Sequence, residues 1–269
     1  MTVFTGVRKE RALSLLQKGF KKETVKTIHE QLRLKKEDLT LILYNSGKLL
    51  LQGKKEEVGK ATELLVKLGI GEKEESITFK QEQGWIIGSD ESLKGDTFGG
   101  VVVAAVKADE TIRKQLVELG VADSKTLEDK EILPMAEKIR KIAACEIKTV
   151  LPEEYNHHGH SITQLLNTLH KHCAEYLRPG KHIVDKYPGC TVGEIQEEKA
   201  DSKYVEVAAA SILARAGALQ QLDYLSALAG FTVPKGSTHV KGALEELKKR
   251  KLEFRKFVKL DFRNVKEFL

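Results

Sequence analysis

From Phe98 to Val106 the chain runs Phe-Gly-Gly-Val-Val-Val-Ala-Ala-Val, nine residues without a polar side chain. Consecutive valines favour a strand over a helix, and a strand this apolar has to be covered. Its covers are legible on either side. Asp109–Leu119 and Glu128–Lys141 carry helical patterns, the second bent or broken near Pro134. Ile162–Tyr176 and the Ala-rich stretch Tyr204–Leu219 read as further helices, and a Lys-rich one follows at Ala243–Lys251. Trp85–Asp90, Ala143–Val150 and His182–Asp185 read as further strands. Strands followed by helices give an α/β sheet with helices packed on it.

Residues 1–78 have a different character and read as a separate small domain. Leu13, Leu16 and Phe20 stand at helical spacing, and so do Val25, Ile28 and Leu32. Leu39–Tyr44 and Lys48–Gln52 are strand-like, joined by Asn45-Ser46-Gly47, where Gly47 tolerates the positive φ of a hairpin turn. A helix over Val58–Leu68 closes at Gly69. The charged stretch Glu72–Gln83 reads as a linker, and a second domain spans 84–269.

Hydrophobic residues make up 41% and charged residues 31% of the chain, which suits a packed protein rather than a disordered one. No apolar run reaches the ~20 residues of a membrane helix, and Met1–Lys9 has no signal-peptide core. The expectation is a soluble cytoplasmic protein. Cys145, Cys173 and Cys190 are odd in number and lack C-x-x-C spacing, so they read as reduced thiols. The net charge of +6 is unevenly spread. Residues 1–78 hold 16 Lys and Arg against 11 Asp and Glu, residues 79–240 hold 19 against 23, and residues 241–269 hold 10 against 5. An acidic centre between basic flanks suits carboxylates that bind metal and ends that hold a polyanion; solvated Lys-rich surfaces give the same count.

Asp90 and Glu91 follow one apolar strand, Asp185 ends another, and Asp201 precedes the Ala-rich helix. Strand ends commonly build the site in open α/β sheets. Carboxylates gathered there raise one another's pKa, and a hard divalent cation such as Mg²⁺ relieves the repulsion. A lone Asp-Glu pair is also what a solvated strand end or a helix cap looks like.

A longer pattern discriminates between these readings. Ile87-Gly-Ser-Asp-Glu91, Gly95-Asp-Thr-Phe-Gly99, Asp123-Ser-Lys-Thr-Leu127, Asp185 and the stretch Lys199–Arg215 with Asp201 occur in that order. Over about residues 84–269 the chain thereby resembles the type 2 ribonucleases H, the group of ribonucleases HII and HIII. The segment Leu41–Gly53 resembles the N-terminal domain of ribonuclease HIII, which looks like the TATA-binding-protein fold and is lacking in HII. The resemblance implies a ribonuclease H-like mixed sheet with flanking helices plus a small α+β TATA-binding-protein-like domain. It implies cleavage of the RNA strand of RNA–DNA hybrids by two Mg²⁺ or Mn²⁺ ions, leaving 5′-phosphate and 3′-hydroxyl ends. Asp90, Glu91, Asp185 and Asp201 match the four metal-binding, catalytic carboxylates. Ser92, Leu93, Lys94 and Gly95 match the loop that reads RNA 2′-hydroxyls, and close backbone approach would explain Gly95. Ser124 and Lys125 match a motif near the nucleic-acid backbone. Tyr155 and Asn156 stand where the family has substrate-contacting residues, and Tyr204 stacks on a sugar or packs.

The chain departs from the family twice. Leu93-Lys94-Gly95 stands where Gly-Arg-Gly or Gly-Thr-Gly is usual, and Asp201 is the HII-like choice where HIII often has Glu. The expectation is a monomer acting on an RNA–DNA hybrid, with no membrane and no obligate protein partner. Rival readings are HII-like cutting at single ribonucleotides in DNA and a non-catalytic nucleic-acid-binding protein. His157, His158 and His160 read as a polar loop rather than a transition-metal site, and His239 as a surface residue. Lys35, Lys36, Lys48, Lys54 and Lys55, with Lys248–Lys251 and Arg255–Lys259, read either as phosphate-neutralising patches or as solvated surface.

Overall fold

The computed structural model describes residues 2–73, 79–80, 82–121, 127–157, 159 and 161–269. It divides into two compact units, Met1–Ser76 and Ile77–Leu269.

The first unit is an antiparallel sheet in the order β2-β3-β4-β5-β1-β6. Its strands are β1 (Thr2–Thr5), β2 (Lys21–Glu23), β3 (Glu30–Lys36), β4 (Leu39–Tyr44), β5 (Leu49–Gln52) and β6 (Glu72–Lys73). Period-2 alternation sends Phe4, Leu32, Leu34, Leu39, Leu41, Leu43, Leu49 and Leu51 to one face. There they meet Ala12 and Leu15, from α1 (Lys9–Leu13) and the 3₁₀ turn after it, and Ala61 and Leu65 of α2 (Lys55–Lys67). Each fully buried leucine stabilises by roughly 1.5–3 kcal/mol. Along the opposite face run the cross-strand rows Lys35, Thr40, Gln52 and Arg33, Ile42, Leu50. Gly47 turns the β4–β5 hairpin at φ 78°. The helical spacing at Val25, Ile28 and Leu32 is misleading. Val25 and Ile28 lie outside any element and are exposed, and Leu32 belongs to β3, where it alternates with Gln31 and Arg33. Glu72–Lys73, expected in a linker, pairs with β1.

The second unit holds a mixed five-stranded sheet in the order β11-β10-β7-β8-β9. The strands are β7 (Ile86–Ser92), β8 (Val101–Ala108), β9 (Ala144–Val150), β10 (Lys181–Asp185) and β11 (Ile195–Glu197). β7, β8 and β9 run antiparallel, while β10 is parallel to both β7 and β11. α6 (Ile162–Leu177) covers one face and α7 (Val205–Ala229) the other, with α3 (Glu110–Leu119) and α4 (Asp129–Ile142) packed beyond α7. α4 runs through Pro134 without a break. The short α5 (Pro152–His157), α8 (Lys241–Lys249) and α9 (Arg263–Lys266) complete the helices named here. No helix of the described residues is long and apolar enough to cross a membrane.

Gly88 and the small residues of α7 set the distance between helix and sheet. A Cβ on Gly88 would stand 2.5 Å from the Glu206 carbonyl carbon and closer still to the Val207 nitrogen. A Cβ on Gly217 would stand 2.8 Å from Val102 Cγ1. α7 is apolar almost all round because it lies between the sheet and α4. At its first turn Glu206 pairs with buried Arg113, whose remaining donors reach the Glu82 and Gly84 carbonyls at 2.6 and 2.5 Å. That ion pair pins the start of α7 to α3. With Val207 over Gly88, one helical turn brings Ser211 level with Asp90, since four helical residues and two strand residues each advance about 6 Å.

Candidate active site

Asp90 and Glu91 are neighbours in the chain but stand on opposite faces of β7. Asp90 shares its face with Gly88 and bonds Ser211 of α7, and its Oδ1 accepts the Glu91 amide at 2.8 Å. Val184 of β10 pairs with Ser89, so Asp185 ends its strand beside Asp90. The Ala200 amide donates to Asp185 Oδ1 at 2.7 Å, which seats the 3₁₀ turn Ala200–Ser202, and with it Asp201, over the end of β10. Burial, then the charges of Glu91 and Asp185, push the Asp90 carboxyl up to about 8 against the Ser211 and Glu91 hydrogen bonds.

Glu91 faces α6. Burial acts to raise its carboxyl, but His170 and then Lys94 outweigh it and hold Glu91 below the usual range. His170 Nε2 stands 3.3 Å from Glu91 Oε2, and Lys94 Nζ pairs with Oε1 while lying 5.3 Å from the Tyr187 ring centre. Among the described residues no three His, Cys, Asp or Glu side chains close to metal-ligand spacing. The donor set still fits a hard divalent cation: all oxygens, with excess negative charge around Asp90 and an ammonium standing on Glu91.

The segment after Glu91 is folded around a buried lysine. Lys259 is fully buried, and its three N–H groups reach the carbonyls of Leu93, Asp96 and Gly99 at 2.8, 2.6 and 2.9 Å. Burial pushes its ammonium down to about 7, against the pull of Asp96 and Asp261. Leu93 is itself buried and left-handed, with φ 65°. It adopts the backbone that a glycine would give freely. Asn264 Nδ2 donates to Thr97 Oγ1 at 2.8 Å, and the Gly236 amide donates to Asp96 Oδ1 at 2.5 Å. A Cβ on Gly95 would meet nothing within 4 Å. Any need for its bareness lies outside the chain.

A model of the family described as ribonuclease HII matches residues 87–265. The ribonuclease HIII of Bacillus subtilis is 30% identical over 85% of this chain and 84% of its own. The chain belongs to the ribonuclease HII/HIII family. This ribonuclease is accordingly an endoribonuclease, a phosphodiester hydrolase of the ribonuclease H type that acts on RNA paired with DNA. The crystal structure of Bst-RNase HIII in complex with Mn²⁺ superposes with a TM-score of 0.64 and 26% identity, covering 99% of this chain and 97% of that one. The ribonuclease HII in the PCNA complex from Archaeoglobus fulgidus reaches 0.60 and 27% identity, over 67% of this chain and 96% of its own. That coverage is too small for both units, and the HIII neighbour spans both.

Several residues matched to substrate contact are engaged elsewhere in this ribonuclease. Tyr155 is buried and its hydroxyl donates to Asp261 at 3.1–3.2 Å. Asn156 clasps the chain's last segment, donating to the Arg255 and Val258 carbonyls and accepting from the Leu260 amide. Tyr204 is buried against Ile86 and Ile183, with its hydroxyl on Glu197 at 2.8 Å. In this structure the polar groups of all three are therefore hydrogen-bonded within the chain. Ser124 and Lys125 lie outside the described residues, as do His158 and His160. His157 ends α5 with Nδ1 2.7 Å from the Glu153 carbonyl oxygen, and His239 is exposed.

Sequence reasoning missed Ser89, His170, His182, Ser211 and Lys259. His170 did leave a signal: it interrupts the apolar stripe Leu166, Cys173, Ala174, Leu177 of α6.

Proposed function

We propose that the chain hydrolyses the RNA strand of RNA–DNA hybrids at the adjoining ends of β7 and β10, with Asp90, Glu91, Asp185 and Asp201 holding two Mg²⁺ or Mn²⁺ ions. The observation that carries this reading is the burial of Asp90 beside the charges of Glu91 and Asp185, a cluster of hard oxygen donors at paired strand ends. When bound, two such ions supply a water activated for in-line attack and neutralise the departing 3′-oxygen, which gives 5′-phosphate and 3′-hydroxyl products.

The chain's own residues prepare the site. Ser211 and the Glu91 amide orient Asp90, the Ala200 amide fixes Asp185, and Lys94 balances Glu91. Ser92–Gly95 contact 2′-hydroxyls, with Gly95 leaving room for a sugar. Ser124 and Lys125 lie along the phosphate backbone. Residues 1–78 add affinity without reading sequence, through exposed cations such as Lys35 and Lys36 of β3, Arg33 being spent on Glu30. Lys54 contributes less, being paired with Asp38 at 2.8 Å. The protein works as a cytoplasmic monomer.

The test is cleavage of three end-labelled duplexes with Mg²⁺ or Mn²⁺: an RNA–DNA hybrid, double-stranded DNA, and DNA with one ribonucleotide. Cutting confined to the hybrid, and abolished by chelation, is expected. Cutting at the single ribonucleotide would move the specificity to the HII type, and cutting of plain DNA would overturn the 2′-hydroxyl reading.

A further inference from the structure

Behind Glu91 three polar side chains are sealed inside an otherwise apolar layer. Ser89 of β7, His170 of α6 and His182 of β10 are 0%, 0% and 2% exposed, among Ile87, Val103, Leu166 and Val184. Buried polar groups survive only when they satisfy one another. Ser89 Oγ lies 2.8 Å from His170 Nδ1 and 2.7 Å from His182 Nε2. At the far side of the His170 ring, Nε2 faces Glu91 Oε2 at 3.3 Å, and neither of these buried atoms makes a hydrogen bond among the described residues.

Proton counting constrains this chain. A carboxylate can only accept, so His170 Nε2 presents a hydrogen to Glu91. The Ser89 hydroxyl has one proton to give, so between the two ring nitrogens it donates to one and accepts from the other. Burial, with His170 nearby, pushes His182 down to about 4, consistent with a neutral ring.

We propose that His182, Ser89 and His170 form a buried hydrogen-bond relay that fixes the orientation of Glu91, which makes His170 a positioning residue for that carboxylate. The relay holds Oε2 on the α6 face and turns Oε1, the oxygen under Lys94, toward the site. That consequence rests on Glu91 being a site carboxylate; the relay itself does not. Groups that orient metal ligands from behind typically change metal affinity by roughly 10–100-fold when removed.

The first measurement is long-range ¹H–¹⁵N NMR of histidine side chains in the full-length, metal-free protein near pH 7.5. A proton on His170 Nε2 is expected, and of the two nitrogens that face Ser89, His170 Nδ1 and His182 Nε2, one should be protonated and the other bare. A bare His170 Nε2, or like states at the two Ser89-facing nitrogens, overturns the proposal. The second is calorimetric titration of Mn²⁺. Ser89→Ala is expected to weaken binding about 10-fold and to leave metal-free affinity for the hybrid unchanged. His182→Gln, which can still offer an N–H to Ser89, is expected to bind more tightly than His182→Phe. Wild-type Mn²⁺ affinity in Ser89→Ala would remove the positioning role. If the wild-type protein itself bound no Mn²⁺, the metal-site reading would fail while the tautomers still decided the relay.

Discussion

On the α7 side of β7, a carboxyl is buried against a close-packed helix with a serine hydroxyl and one amide for support, and its pKa rises. On the α6 side, the next residue is met by an imidazole and an ammonium, and its pKa falls. The chain spends its compensating groups on Glu91 and leaves Asp90 uncompensated. The two acids of one dipeptide are therefore prepared in opposite ways. Glu91 is held ionised and oriented, whereas Asp90 is an anion in waiting whose charge is favourable only beside a cation.

The largest expected effect comes from removing either charge. Asp90→Asn and Glu91→Gln should each lower hybrid cleavage about 10³-fold or more, because several kcal/mol of transition-state stabilisation depend on bound metal. Single-turnover cleavage with saturating Mn²⁺ measures this. Near-normal turnover in either variant would remove that residue from the site.

Their effects on stability should differ in sign, and this is where the comparison can break. Asp90 is raised from an ordinary 3.8 to about 8, so its contribution is fully present below pH 4 and is lost as pH rises through 8. At pH 7 that loss is on the order of 4 kcal/mol. Asp90→Asn should therefore stabilise the metal-free protein and flatten its decline between pH 6.5 and 8. Glu91→Gln takes the charge from a half-buried ion pair with Lys94 and should destabilise, by roughly 1.5–3 kcal/mol. His182 gives the opposite slope from Asp90. Its depressed folded pKa makes a contribution that is present above 6.5 and lost as pH falls through 4. Urea unfolding of wild type and both site variants from pH 4 to 8 separates these slopes. Equal signs for the two variants would mean that the faces of β7 are not prepared differently.

Lys259 extends the contrast to the loop beyond. Lys259→Met keeps the volume but strips the ammonium from three carbonyls; Leu93's keeps the Asp96 amide, while those of Asp96 and Gly99 lose this donor at a cost of about 1–3 kcal/mol for each that water cannot reach. Hybrid affinity should fall with stability, while the pH slopes assigned to Asp90 and His182 persist. A variant that loses stability but keeps hybrid affinity would show that the loop's shape does not matter for binding.

The strand ends that carry the acids were legible because apolar strand patterns stop there, and Gly47 announced its hairpin. What escaped was whatever depends on distant partners. Lys259 sits in a tail with 10 Lys and Arg, and nothing local distinguishes it from its solvated neighbours. Its burial comes from carbonyls more than 150 residues away in the chain. β11 is three residues long with one apolar side chain, and it exists because β10 offers an edge. Val25 and Ile28 mimicked a helix over a stretch too short to separate period 3.6 from period 2. The opposite facing of Asp90 and Glu91 follows from strand pleat alone, yet their partners became visible only with the packing of α6 and α7.

The smallest expected effect is at Leu93. Its left-handed backbone costs about 1–2 kcal/mol relative to glycine, while burial of its side chain returns roughly 1.5–3 kcal/mol. Its Cδ1 fills the space beside Gly99, where a Cβ would approach to 2.8 Å. Leu93→Gly removes both terms, so a net loss of about 1 kcal/mol is expected, a few degrees in Tm. A gain in stability would mean that backbone strain outweighs packing. Glycine would then be the better residue for this fold, and the leucine would owe its place to what the loop meets rather than to how the loop is held.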